Sequence, residues 1–110
     1  MSAPLAAMVI EELIKRNPNI PKDAYDDVIL GCANQAGEDN RNLGRMAALL
    51  GGLPFEVPAN TVNRLCGSSL DAVIGAMGRI SAGVADCILV GGAESMSRAP
   101  YALSKSEGTF

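Results

Sequence analysis

The sequence has 110 residues, with 9 Lys and Arg, 12 Asp and Glu, no histidine and a formal net charge of −3. Hydrophobic residues make up 48% of it and charged residues 19%, a balance that excludes intrinsic disorder. The acidic charge and the 4% aromatic content argue against a nucleic-acid binder. The charge-free apolar stretch at residues 72–78 is far below the ~20 residues that span a bilayer, so we also expect no membrane partner.

Three cysteines are present, Cys32, Cys66 and Cys87, and no two of them form a Cys-x-x-Cys pair. Without such a pair and without histidine, the sequence offers no metal site, and an odd number of cysteines does not indicate a disulfide framework. These features predict free thiols in a reducing cytoplasm. The N-terminus lacks the pattern of a signal peptide, because Glu11 and Glu12 interrupt its first apolar run.

Helical and extended segments alternate along the N-terminal half. Ser2 as N-cap and Pro4 in the first turn begin a helix that ends at residues 17–18, Asn-Pro. Residues 26–31 predict a short buried strand, and a polar loop follows it to residue 40. A second helix is predicted over residues 41–50, where two glycines stop it.

The C-terminal half continues the alternation. Residues 58–65 are predicted to be extended, residues 67–82 to form a third helix, and residues 86–90 to form a strand that turns at Gly91 and Gly92. Such alternation is typical of a layered α/β sheet. With no linker or internal repeat, residues 1–110 are interpreted as a single domain.

The third helix is apolar almost all round, since Asp71 is the one polar side chain between Leu70 and Gly78. A helix of this kind must be covered on every side. Two other helices and three short strands are too few to do so. The pattern therefore predicts a helix placed between two halves of a larger protein, with the central helix of a small domain as the alternative.

Cys66 lies where an extended segment ends and the third helix begins. The positive end of the helix dipole and the free N–H groups there favour a thiolate and can receive an oxyanion. A small buried hydrophobe is the alternative interpretation of this cysteine, and the residue pattern leaves both open. Cys32 and Cys87, which follow or lie within apolar strands, are predicted to be structural.

Three segments resemble the thiolase family. Residues 62–72 (VNRLCGSSLDA) are similar to the segment that carries the acyl-accepting cysteine of thiolases, and residues 91–97 (GGAESMS) to the glycine-rich segment that follows it. Residues 31–42 (GCANQAGEDNRN) most resemble the branch that acts on 3-oxoadipyl-CoA. The resemblance extends over about residues 5–101.

The resemblance implies that residues 1–110 are an incomplete N-terminal half of a layered α/β/α thiolase fold with a mixed sheet. The first strand of that half is missing, and the loop region begins at about residues 97–110. Thiolases are much longer than this chain and pack two similar halves around central helices. The resemblance also implies a homo-oligomer, either a dimer or a tetramer.

The implied activity is acyl transfer through Cys66 as the catalytic nucleophile. The thiolate attacks a 3-oxoacyl-CoA, acetyl-CoA leaves, and CoA then removes the acyl group from the thioester. CoA is a substrate, no metal or further cofactor is implied, and the residues that contact CoA are not identified. The activating histidine and second cysteine of the family lie downstream, so we expect the 110-residue chain alone to be inactive.

Two other classes remain open at this point. The chain can be a non-catalytic, thiolase-like interaction or structural module, or it can be a piece of a ketoacyl-synthase-type condensing enzyme. Residues 91–97 favour thiolases over the synthases.

Overall fold

The computed structural model describes residues 2–108, which form three helices and three strands. Every helix and strand that the sequence predicts is present. The elements in chain order are α1 (Ser2–Arg16), β1 (Asp27–Gly31), α2 (Leu43–Leu50), β2 (Ala59–Val62), α3 (Ser68–Ser81) and β3 (Ile88–Gly92). Short 3₁₀ turns lie at Lys22–Ala24 and Gly37–Asp39.

The strands form one sheet in the order β2-β1-β3, and both pairings are parallel. In this register Val28 of β1 lies opposite Ala59 on one side and Leu89 on the other. Parallel neighbours require crossover connections, which α2 and α3 supply. The carboxyl ends of all three strands therefore meet at one edge of the sheet.

Side chains of the sheet alternate between two helical layers. Val28, Leu30 and Leu89 join a buried cluster with residues of α1 and α2, whereas Ile29 packs with Ala72 of α3. This alternation follows from the two-residue period of a strand. The result is an α/β/α arrangement, which confirms the predicted fold class; within residues 2–108, no strand precedes α1.

The face of α3 that meets the sheet consists of small residues, including Ala72 and Ala76. Its large apolar side chains lie on the outside, and Leu70, Ile74 and Met77 are each about 60% exposed (64%, 58% and 62%). The three-stranded sheet thus covers one side of the predicted all-round apolar helix and leaves the other side open.

Several boundaries differ from the prediction. The strand β2 ends at Val62 and not at residue 65, and β3 begins at Ile88 and not at residue 86. Gly91 and Gly92 were predicted to turn the chain, and that prediction is wrong, because both residues continue β3 and Gly92 pairs with Gly31. The helix α2 begins at Leu43 because Asn42 is left-handed (φ 66°) and accepts a 3.1 Å bond from the N–H of Arg45. An Asn side chain in this role is a typical N-cap.

The predicted loop region of residues 97–110 extends two residues beyond the described part of the chain. Residues 97–108 contain neither helix nor strand. Among the described helices, none combines the length and the apolar character needed to cross a bilayer.

Candidate active site

An open cavity of about 740 Å³ lies at the carboxyl-end edge of the sheet, beside the first turn of α3. Three segments contribute to its wall. They are the turn before α3, with Leu65 and Cys66; the loop after β1, with Cys32 and Asn34; and the segment after β3, with Glu94. Open α/β sheets bind ligands at this edge.

Two strand glycines allow α3 to approach this edge closely. A Cβ atom at Gly31 would lie 2.5 Å from the carbonyl carbon of Ser68 and from the backbone nitrogen of Ser69. A Cβ atom at Gly92 would collide with the hydroxyl of Ser69. Because neither glycine has a Cβ atom, the start of α3 can pack directly against β1 and β3. This packing also positions the turn that carries Cys66.

The turn before α3 contains a strained residue. Leu65 has φ of +49°, a left-handed conformation that costs a residue with a Cβ about 1–3 kcal/mol. Its N–H donates to Asn63 Oδ1 at 2.9 Å, while Asn63 Nδ2 donates to the carbonyl of Ala33 at 2.9 Å. The amide of Asn63 thus ties the turn to the loop after β1.

Cys66 is an exposed free thiol two residues ahead of α3. The extended segment that was predicted to run up to it ends at Val62, and a turn joins β2 to the helix. The first backbone bond of the helix runs from Asp71 N to the carbonyl of Gly67 at 2.9 Å. The N–H groups of Ser69 and Leu70 before it therefore have no intrahelical carbonyl partner. The sulfur lies near the positive end of a helix dipole, an environment that favours anions. Its role as the nucleophile stays a prediction.

Cys32 lines the same cavity but, unlike Cys66, is buried. It is 1% exposed, and its Sγ lies 3.5 Å from Glu94 Oε1 and 4.0 Å from Asp39 Oδ2. Burial raises the pKa of the Cys32 thiol, and the two carboxylates act in the same direction. At neutral pH this sulfur keeps its proton and donates a hydrogen bond to Glu94 Oε1, which fits the predicted structural role.

Glu94 is a residue that the sequence analysis did not single out. Its two oxygens accept the N–H groups of Ala33 and Asn34 at 2.8 and 2.9 Å. Burial alone would raise the pKa of Glu94, but these two N–H groups and the Cys32 thiol outweigh it and lower the pKa. The available signal in the sequence is an acidic side chain two residues after the glycines that end an apolar strand.

Asp39 completes the link between the two loops that line the cavity. It is fully buried, and its Oδ2 accepts the N–H of Ser95 at 2.8 Å. The ligand atoms of Cys32, Asp39 and Glu94 lie within 4.8 Å of one another, a spacing that can suit a metal ion. However, these carboxylates already accept backbone N–H groups and the thiol is protonated. The three side chains therefore join the loop after β1 to the segment after β3 through hydrogen bonds, and we call Cys32, Asp39 and Glu94 the clamp between these loops.

Cys87 directly precedes β3 and lies away from the residues that line the cavity. It is half-buried, and burial, followed by the nearby charge of Asp26, raises the pKa of its thiol. Asp26 Oδ2 accepts the N–H of Cys87 at 3.0 Å. This placement fits the predicted structural role.

The fold and the site together define a layered α/β protein with an exposed cysteine at the head of a helix. The chain belongs to the thiolase family, since the family model for the thiolase N-terminal domain matches residues 1–109. It is 66% identical over 106 residues to a β-ketoadipyl-CoA thiolase from Acinetobacter baylyi. It is 57% identical over the same length to a 3-oxoadipyl-CoA/3-oxo-5,6-dehydrosuberyl-CoA thiolase from Escherichia coli.

A solved structure of the same family has the same fold as this chain. The acetyl-CoA acetyltransferase of Bacillus anthracis superposes on 94% of the chain with a TM-score of 0.86 and 36% sequence identity. The chain spans about a quarter of the length of these proteins, 26% in each of the three comparisons.

Proposed function

We propose that the protein to which this chain contributes is a thiolase that cleaves 3-oxoadipyl-CoA with CoA, and that Cys66 is its acyl acceptor. The observation that carries the proposal is the exposed thiol of Cys66, held at the positive end of α3 on the wall of an open cavity. The substrate class is supported by the A. baylyi and E. coli relatives, whose names give β-ketoadipyl-CoA and 3-oxoadipyl-CoA.

The proposed reaction has two halves. The Cys66 thiolate attacks the 3-keto carbon, and the resulting alkoxide collapses with cleavage of the bond between C2 and C3. The C2 carbanion takes a proton from an acid and leaves as acetyl-CoA, so that Cys66 holds a four-carbon dicarboxylic acyl thioester. The thiolate of CoA then attacks this thioester and restores free Cys66.

The described residues supply one part of this chemistry. A thiolate is both a good nucleophile and a good leaving group, so a thioester on Cys66 forms and exchanges readily. The N–H groups at the start of α3 can stabilise negative charge that develops beside the sulfur. The groups that move protons belong, by resemblance, to the part of a thiolase that follows these residues.

A chimera tests the proposal. Replacing the matching 106 residues of the A. baylyi thiolase with this chain keeps every downstream group of a protein that is 66% identical over the exchange. We expect the chimera to cleave 3-oxoadipyl-CoA and to carry an acyl group on Cys66, which mass spectrometry of the cysteine peptide detects. The Cys66→Ser chimera should lose both, while Cys87→Ser, at a half-buried structural position, should retain them.

The chimera also separates the proposal from its alternative. If the chain is a non-catalytic module, the chimera and its Cys66→Ser variant will be equally inactive although both fold and assemble. A chimera that acts on acetoacetyl-CoA but not on 3-oxoadipyl-CoA would retain the thiolase assignment and overturn the substrate.

The proposal includes assembly and location. We propose a homo-oligomer, a dimer or a tetramer, that acts on CoA thioesters in the cytoplasm without a further cofactor. The three free cysteines support a reducing compartment.

A further inference from the structure

We propose that Ser68 is a positioning residue that holds Cys66 in place at the head of α3. This inference rests on the proposed role of Cys66 as acyl acceptor. Ser68 is the first residue of α3 and is 4% exposed. Its hydroxyl accepts the N–H of Arg64 at 2.9 Å and donates to the carbonyl of Leu65 at 2.6 Å. A single hydroxyl therefore bridges the turn on both sides of Leu65.

The backbone of Leu65 is in an unfavourable conformation, which the two hydrogen bonds of the Ser68 hydroxyl help to hold. Its φ of +49° is unfavourable for leucine, and its side chain is 70% exposed, so packing in the core does not hold it there. Hydrogen bonds to Ser68 and Asn63 hold the backbone instead. Because Cys66 follows directly, the left-handed residue sets the direction in which the cysteine leaves the turn.

Ser68 is itself fixed to the sheet. The position of a Cβ atom on Gly31 would lie 2.8 Å from the Cβ atom of Ser68, so the serine is seated directly on β1. Because Ser68 packs against β1 and its hydroxyl bonds to Arg64 and Leu65, the turn is held at a fixed position relative to the central strand. This contact distinguishes Ser68 from Ser81, an exposed serine at the other end of the same helix.

The test uses the 110-residue chain and two readouts. Ser68→Ala should make the amide of Arg64 exchange with solvent about two- to tenfold faster, because one hydrogen bond is lost. It should also slow the reaction of Cys66 with iodoacetamide by about two- to fivefold, because the sulfur is no longer held at the positive end of α3. Ser81→Ala is the matched control and should change neither rate.

Leu65→Gly separates positioning from general stability. Glycine adopts positive φ without strain, so the effect of Ser68→Ala on Cys66 should shrink to below about twofold in that background. Cys32 is 1% exposed, and its labelling reports global unfolding in the same sample.

Three results would overturn the proposal. The first is a rate of Cys66 labelling that Ser68→Ala leaves unchanged or increases. The second is an equal decrease of that rate in the wild-type and Leu65→Gly backgrounds. The third is an increase in Cys32 labelling that accompanies the decrease at Cys66, since this would indicate global unfolding. None of these readouts involves acyl transfer. A chimera that fails to form an acyl-enzyme would therefore refute the proposed function and leave the test of Ser68 unaffected.

Discussion

The three thiols of the chain lie in surroundings that should separate their reactivities. Cys66 is exposed, Cys87 is half-buried and Cys32 is buried, and burial raises the pKa of the last two. Since the thiolate is the reactive form, brief treatment with iodoacetamide at neutral pH should label Cys66 several-fold ahead of the others. Peptide mapping of native and denatured samples measures this order. Equal labelling in the native sample, or Cys87 in the lead, would contradict it.

Glu94 should make the clamp between the loops sensitive to acid. Burial opposes ionisation, but the N–H groups of Ala33 and Asn34 and the Cys32 thiol prevail, so the pKa of Glu94 lies below its ordinary value of 4.5. Because that pKa is lower in the folded than in the unfolded chain, the stabilisation is complete above pH 4.5 and is lost as the pH falls through the folded value.

Glu94→Gln should therefore flatten the fall in the free energy of unfolding on the acid side. Urea unfolding at a series of pH values measures the slope. Glu56→Gln, at an exposed position before β2, is the control with which the change in slope is compared. A slope that Glu94→Gln leaves unchanged would show that its carboxylate is not held as described.

At the scale of elements, the contact between β1 and α3 leaves no room for a side chain. A Cβ atom at Gly31 would lie 2.5 Å from backbone atoms of α3, so Gly31→Ala should destabilise the chain by about 1–3 kcal/mol.

Gly78, on α3 itself, has no atom within 4 Å of its Cβ position. Gly78→Ala should stabilise the chain by about 0.5–1 kcal/mol through helix propensity. Urea unfolding that shows the same sign for both variants would contradict this packing.

At the scale of the whole molecule, two helices leave apolar faces uncovered, and the described residues offer nothing that covers them. The exposed residues on these faces include Leu5, Met8 and Val9 of α1 and Leu70, Ile74 and Met77 of α3. Apolar patches of this kind mark interaction surfaces. We therefore expect the chain to self-associate, with sedimentation coefficients that rise with concentration.

A charge on α3 should reduce this association. Ile74→Lys places it at the centre of the apolar face, whereas Ser81→Lys places the same charge at an exposed polar position on the same helix and serves as the control. A compact monomer at every concentration would show that these faces need no partner.

The 110-residue chain by itself should show no measurable thiolase turnover. It contains no histidine, and general acid and base groups each contribute about 10²–10⁴-fold to a reaction of this type. A spectrophotometric assay with acetoacetyl-CoA or 3-oxoadipyl-CoA measures this. Cleavage by the pure chain that Cys66→Ser abolishes would contradict the prediction.

The sequence by itself determined the elements whose signals are local. The Asn-Pro that follows residue 16 ends α1, as predicted. The predicted N-cap at Ser2 is wrong, because Ser2 lies within α1 and its buried hydroxyl has no hydrogen-bond partner among the described residues. The third helix was predicted within one residue at each end. Helices form through contacts three or four residues apart, which a single sequence displays. The order of strands and helices, the α/β class and the position of Cys66 before α3 follow from such local signals.

Contacts between distant residues were decided by the tertiary structure alone. Glu94 meets the N–H groups of Ala33 and Asn34 across 61 and 60 residues, and no local pattern indicates that pairing. Gly92 continues a strand instead of turning, because it pairs with Gly31 while α3 occupies the space that a side chain would need. The left-handed Leu65 likewise depends on hydrogen bonds within a turn that α3 and the loop after β1 hold in place. Local sequence thus placed Cys66 along the chain, whereas its surroundings arise only where separate loops meet at the edge of the sheet.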